Sequence, residues 1–423
     1  MKKVTKVLSV AFLTASLALV GCSSKESTST EKQSDKIGGT ITFITNRTDL
    51  VDTEYKKIEE AFKKKYPDVK DVKFEALRNY DGDIKVRLSS KQYGDALLIP
   101  NGVSPEQFAN YFEPLNDLGL EDKVYFPDIK AYKDKMYGVT SGVVAEGIVY
   151  NKKAFEKAGI QQVPKTLDEL YAAAEKLKQA GIVPLATNFN AQWPLQQWDK
   201  LPQIMTGNAD FRNTLIKENE PFAKGTPYEQ SLSILKTFID KGYTEPDLIA
   251  TDWESSKGDM AQGKFGMMFL GNWVINQIIE NGAKPADIGF FPFPTDNSGK
   301  VKSLMGSDWC YAVSKNSKNV ATAKAFVKFL VEESGYDDFS GLIPTIKDKE
   351  PKIPQLQEFL SYKPELIYSV SDQPELTNIA NKAQIDFYGG KYVQDLMLNK
   401  NYENGLKDLN EKWKKAKDSL NIK

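Results

Sequence analysis

The chain contains no histidine among its 423 residues. Zinc sites built on imidazole and every catalytic triad with a histidine base are thereby excluded, and many acid–base schemes go with them. Chemistry that runs on two carboxylates passes this filter, because the chain has 57 acidic residues to draw on. Cysteine is nearly absent as well. Cys22 and Cys310 are the only two, too few for a disulfide framework, and Cys310, between Trp309 and Tyr311, reads as a small core residue. The net charge of −1 argues against nucleic acid or an acidic surface as a partner. Arginine is scarce: Arg47, Arg78, Arg87 and Arg212 are the only ones among 56 basic residues.

What is present begins with an address. Lys2, Lys3 and Lys6 precede residues 7–20, which are apolar apart from Ser9, Thr14 and Ser16. That core falls short of the ~20 apolar residues of a membrane span and has the length of a signal-peptide core. It ends in Leu19, Val20, Gly21 and Cys22, which resembles a bacterial lipobox. The resemblance implies that Cys22 receives a diacylglyceryl group and becomes the mature N-terminus, and two acyl chains give stable anchoring. Residues 23–36 carry no apolar side chain, so they cannot offset the entropy of ordering and read as a flexible tether. The expected location is the outer face of a cell membrane, in a low-GC Gram-positive bacterium.

The remaining length, close to 390 residues, exceeds what one core serves and predicts two domains. A strand rich in β-branched residues opens at Thr40. A helix follows with Tyr55, Ile58, Ala61 and Phe62 on one face, stopping before Pro67. Strands at residues 72–76 and 95–99 flank a helix at 83–90. A second series starts near Gly142 with a strand at 143–150. Thr166 and Glu169 then form a capping box for a helix reaching Ala180. Further strands are predicted at 182–186, 265–269 and 288–291, and further helices at 227–240, 272–281 and 319–331. Residues 188–202 read as irregular. From Asn401 onward, Leu406, Leu409 and Trp413 are spaced for a packing helix. Strands alternating with helices predict α/β domains with mostly parallel sheets.

Three stretches carry a family likeness. The first is Gly147-Ile-Val-Tyr-Asn-Lys152 with Phe155, Ala158-Gly159-Ile160 and Pro164-Lys165-Thr166 after it. The second is Met260-Ala-Gln-Gly-Lys-Phe-Gly-Met-Met-Phe-Leu-Gly-Asn-Trp273. The third is Ala312-Val-Ser-Lys-Asn-Ser317, followed by Ala323, Ala325, Phe326 and Phe329. In this order and spacing the chain resembles the extracellular solute-binding proteins of carbohydrate ABC importers, the group that includes maltose-binding protein. The resemblance implies a two-lobed α/β fold of the periplasmic-binding-protein type II class, with the ligand between lobes joined by several crossovers. The crossovers are expected near residues 146–151, 301–306 and 341–344. The lobes would be 37–146 plus about 304–340, and 147–303 plus 341–423, after a signal peptide at 1–21 and a lipidated tether at 22–36. The implied function is reversible capture of a sugar or oligosaccharide, with lobe closure, for delivery to a membrane permease by a monomer that needs no cofactor and no metal. Two alternatives stay open: a surface glycoside hydrolase using paired carboxylates, and a binder of some other solute.

Sugars present hydroxyl edges and apolar C–H faces, so their sites combine charged or amide groups with flat aromatic platforms. Ligands of open α/β sheets bind beyond the carboxyl ends of strands. That rule selects Asn46, Arg47 and Asp49, with an ion pair from Arg47 to Asp49 or Asp83 as the competing reading. The resemblance selects Trp273, whose counterpart in the Gly-x-Trp stretch of the family stacks on a sugar ring. Glu146 at the expected hinge, Asp308 and Trp309 after the return crossover, and Trp193 and Trp198 in the irregular region complete the candidates. Trp253 is a weaker one, Asp95 reads as structural, and Asp81 and Asp83 read as a turn or helix cap rather than a calcium loop.

Overall fold

The computed structural model describes residues 36–422, all within one unit, Ser34–Lys423. The signal segment, Cys22 and the tether up to residue 35 lie outside the described residues. Thirteen strands are described: β1 Gly39–Thr45, β2 Val69–Ala76, β3 Ala96–Leu98, β4 Ala131–Tyr132, β5 Lys135–Met136, β6 Val139–Thr140, β7 Val143–Asn151, β8 Val183–Leu185, β9 Phe265–Gly271, β10 Ile288–Phe291, β11 Lys302–Ser307, β12 Cys310–Val313 and β13 Glu365–Tyr368. They build two main sheets, one of order β2-β1-β3-β12-β6 and one of order β13-β11-β7-β9-β8 with β10 also paired to β7. Each sheet is flanked by helices and has its own core. Phe43, Phe62 and Phe326 centre the first, and Phe189, Trp198, Leu235 and Trp413 the second. This is a mixed α/β fold of two lobes.

The sheets are less parallel than the alternation of elements predicts. β1 runs parallel to β2 and β3, but β12 and β6 add antiparallel partners. In the second lobe β7 is antiparallel to β9, β10 and β11. β7 enters that lobe from the other one instead of arriving through a crossover helix, so nothing imposes a parallel sense. All nine of its residues are buried, as a strand enclosed on both faces must be. Glu146 is the one acidic residue among them.

Local signals set several helices. Thr166 and Glu169 make the predicted capping box, with Thr166 Oγ1 accepting from the Glu169 N–H at 3.2 Å. The helix Pro227–Asp240 starts with proline at its first position and Thr226 as cap, where the missing N–H costs nothing. Residues 188–202 are not irregular throughout, because Gln197–Thr206 is a helix containing Pro202. Proline cannot donate to the carbonyl four residues back. That carbonyl, on Trp198, instead accepts from Ser231 Oγ at 2.6 Å. The tertiary bond satisfies a buried acceptor that a helix breaker would otherwise orphan.

The lobes are joined by three segments lying side by side. The first is Ser141 and Gly142, between β6 in one sheet and β7 in the other. The second is Asp308 and Trp309, between β11 and β12. They bond to each other, Ser141 N–H to Trp309 O at 2.7 Å and Asp308 N–H to Gly142 O at 2.9 Å. The third passes Ile343, which exchanges both backbone bonds with Val143 at 2.8 and 3.0 Å. The first crossing thus falls a few residues earlier, and the second a few later, than the resemblance placed them. Gly142 is required by packing, since a Cβ there would lie 2.7 Å from the Leu342 side chain.

One side chain locks this junction. Asn272, fully buried, accepts from the Ala145 N–H of β7 at 2.7 Å and donates to Gly341 O at 2.6 Å. Asn272→Ala would leave a buried donor and a buried acceptor unmade, and we expect a loss of about 2–4 kcal/mol in stability. Asn272→Asp keeps only the acceptor and should also destabilise. Urea unfolding measures both, and an unchanged midpoint for Asn272→Ala would show that the junction does not depend on this amide.

Candidate functional site

The carboxyl ends of the strands of both sheets, together with the three crossings, gather the candidate residues. Trp273 follows directly on Asn272, at the N-cap of the helix Val274–Glu280. Its ring packs against the cores of both lobes. It forms a trio with Trp193 and Trp253, with ring centroids 4.9 Å (Trp193 to Trp253), 5.6 Å (Trp193 to Trp273) and 5.9 Å (Trp253 to Trp273) apart. All three are half-buried, so each keeps some ring surface open. Three separate elements supply them: a short 3₁₀ turn after β8, a helix N-terminus capped by Asp252, and the turn after β9.

Charged groups in the candidate site are paired, one pair lying against the trio. Lys257 Nζ lies 5.2 Å from the centre of the Trp253 ring and 2.7 Å from Glu254. In the first lobe, Arg47 clasps Asp49 with two bonds of 2.9 and 2.7 Å and donates to Ser340 Oγ at 3.2 Å. The partner is Asp49, not Asp83. Burial pushes the Asp49 carboxyl up, but the bonded Arg47 guanidinium, aided by Lys257 from the other lobe, holds it below the usual range. Asn46 sits half-buried beside this pair.

At the floor, Glu146 is 2% exposed and accepts from Lys200 Nζ at 2.5 Å through one oxygen. Its other oxygen, buried, has no partner among the described residues. Asp308 accepts from Ser141 Oγ at 2.7 Å. Burial raises its pKa, with the Ser141 bond and the positive charges of Arg47 and Lys200 opposing the shift. Trp309 meets Tyr80 edge-on at 5.3 Å and packs on the first lobe's core.

Trp198 is a correction. It is 3% exposed and packs against Phe269 at 5.5 Å and Phe293 at 6.0 Å, so its ring belongs to the core. It faces inward because Gln197–Thr206 is helical, whereas an irregular loop would have left it open. Trp253, weakly placed by sequence, joins the trio instead. Lys200 was missed, and one lysine among many carries no signal in sequence. The Asp81 oxygens are occupied by the Asn101 N–H and amide at 2.8 and 2.9 Å.

The lobes also touch at a second place. Ser104 Oγ donates to Asn378 Oδ1 at 3.0 Å, Asn378 Nδ2 to Glu106 Oε1 at 3.3 Å, and Asn381 Nδ2 to Gly102 O at 3.2 Å. These bonds join the loop after β3 to the helix Pro374–Ala383, which packs in the second lobe.

Residues 45–337 match the profile of the bacterial extracellular solute-binding proteins. The chain belongs to that family. This solute-binding protein is 34% identical to a binding protein of an ABC transporter from Bifidobacterium animalis subsp. lactis, solved in complex with mannobiose. The match covers 91% of this chain and 96% of that one, with a TM-score of 0.82. It is 27% identical over 350 residues to the arabinooligosaccharide-binding protein of Bacillus subtilis, covering 78% of this chain and 76% of the relative. A raffinose complex of another binding protein, 21% identical and covering 89% and 99% of the two chains with a TM-score of 0.73, shares the fold. A solute-binding protein is not an enzyme, so the hydrolase alternative is set aside. No helix among the described residues is long and apolar enough to cross a membrane.

The bonds between Gly102, Ser104 and Glu106 and the helix Pro374–Ala383 can exist only while the lobes are together. Replacing Asn378 and Asn381 by alanine should raise the radius of gyration measured by small-angle scattering of the soluble part. A scattering curve superimposable on the wild type would mean that this contact does not hold the lobes.

Proposed function

We propose that the protein captures a neutral oligosaccharide outside the cell and delivers it to an ABC permease, closing its lobes on the ligand. The observation that carries this reading is the tryptophan trio standing beside paired charges. Aromatic faces suit sugar C–H surfaces, and the surrounding carboxylates and cations suit hydroxyls. Short manno-oligosaccharides are the first candidates, because the structural relative at 34% identity holds mannobiose. The residues we assign to the ligand are Trp193, Trp253, Trp273, Glu146, Asp308 and Arg47. We set the lobe limits at the crossings, residues 141–142, 308–309 and 343, in place of those read from sequence. The protein works as a monomer.

A thermal-shift screen of residues 36–423 against mannobiose, mannotriose, other oligosaccharides and amino acids tests the ligand class. A true ligand at ~100 times its Kd adds about 2.7 kcal/mol to apparent stability, and the sugar should be recovered unchanged. Trp273→Ala should cost about 1–3 kcal/mol in binding. It should cost less in folding than the ~3–5 kcal/mol of a fully buried tryptophan. Stabilisation by amino acids alone, or full affinity in Trp273→Ala, would refute the assignment.

We infer from the lipobox resemblance that Cys22 anchors the protein by lipid to the outer face of the membrane. Cys22→Ala should then appear in the medium or stay unprocessed, while the purified domain binds as before. Equal membrane retention of the mutant after fractionation counts against the anchor.

A further inference from the structure

Beyond Leu185 the chain leaves β8 through Ala186, Thr187 and Asn188, running beside the end of β9, with the Ala186 N–H bonded to Met267 O at 2.9 Å. Asn188 adopts the left-handed conformation, φ 52°, which asparagine tolerates better than most side chains. Its backbone is held firmly. Glu245 Oε1 accepts from the N–H groups of Thr187 and Asn188, both at 2.8 Å, and Glu245 Oε2 accepts from Thr187 Oγ1 at 2.9 Å. The Ala191 N–H returns to Asn188 O at 3.0 Å.

The side chain so fixed is 1% exposed, yet neither Oδ1 nor Nδ2 has a partner among the described residues. A buried donor and a buried acceptor left unmade cost about 1–3 kcal/mol each, and such groups are rare enough in native proteins to need a reason. Asn188 lines a partly open cavity of about 10 Å³ together with Leu185, Ala186, Thr187, Pro194, Trp198, Phe269 and Leu270. That is room for about one oxygen atom of a water or hydroxyl. The carboxamide offers one donor and one acceptor side by side, and the nearby carboxylate of Glu245 already accepts three bonds. The matching guest is therefore neutral and both donates and accepts. Its lining includes Pro194, the residue after Trp193, and Leu270, near the end of β9 that leads to Trp273.

We propose that Asn188 is a specificity-determining residue of the cleft, seating one neutral hydroxyl oxygen: a water in the empty protein and a hydroxyl of the sugar in the loaded one. This rests on the oligosaccharide reading above. The variants are Asn188→Gly, which keeps the left-handed turn without strain, and Asn188→Asp, which keeps the shape but loses the donor. Calorimetry with mannotriose should show both binding about tenfold or more weakly than wild type, the loss expected for about 1.4 kcal/mol. Melting without sugar should shift little for Asn188→Gly. A high-resolution crystal structure of the empty protein should show an ordered oxygen on both amide atoms, and the mannotriose complex a sugar hydroxyl in its place. Wild-type affinity in Asn188→Gly, or the same water on the amide in both crystals, overturns the proposal. If the wild-type protein binds no sugar, the oligosaccharide reading falls on its own. The empty crystal then decides the site, with an ordered oxygen supporting it and an amide bonded to the chain refuting it.

Discussion

The arrangement of the site depends on a single buried carboxamide. Asn272 bonds to the backbone of the hinge strand at Ala145 and to the third crossing at Gly341, so three segments far apart in sequence meet at one residue. The next residue is Trp273, and its position is set by those bonds before any ligand is present. A neighbouring contact extends the lock: Asn276 Nδ2 donates to the carbonyls of Asp338 and Phe339 at 3.1 and 3.2 Å. The aromatic platform therefore sits on the junction itself. A ligand held by the trio, as proposed above, would act next to the crossings, where a hinge needs only a few residues to change their dihedrals.

The crossings explain why motion and rigidity can coexist. Three backbone segments bonded side by side resist shear between the lobes but leave the dihedrals of Ser141, Gly142, Asp308 and Trp309 as the places where rotation is cheapest. Opening would break the few side-chain bonds at Ser104, Glu106 and Gly102, which are polar and lie away from the large cores. Each is worth about 0.5–1.5 kcal/mol net, small enough for ligand contacts to tip the balance. A ligand shifts such an equilibrium only by its differential affinity for the two states.

Much of the fold was legible because local rules specify it. The strand at Thr40 is found as β1, the capping box at Thr166 starts its helix, and Pro227–Asp240 has the predicted limits. β11, β12 and β13 were not found, since their partners lie in other parts of the chain and short strands carry little periodicity of their own. The candidate site was read from more than one source, the family motif and the rule that ligands lie beyond strand carboxyl ends, which picked out Asn46, Arg47 and Asp49. Trp273 came from that motif. Trp198 turns inward because it lies in the helix Gln197–Thr206, and that helix contains a proline that sequence rules treat as a breaker. The Ser231 hydroxyl that compensates for it is 29 residues beyond Pro202 and invisible to any local window.

The scarcity of arginine acquires a meaning once the pairs are seen. Arg47 is committed to Asp49, Arg87 to Glu75 and Arg212 to Asp372. Around the trio and the floor, Lys257 is committed to Glu254 and Lys200 to Glu146. A charged solute that drew Lys200 away from Glu146 would leave a buried carboxylate without its cation, a cost of ~3–5 kcal/mol. A neutral polyhydroxyl solute breaks none of them. It can add hydrogen bonds to groups whose charges are already balanced, and to the Glu146 oxygen that no described residue occupies.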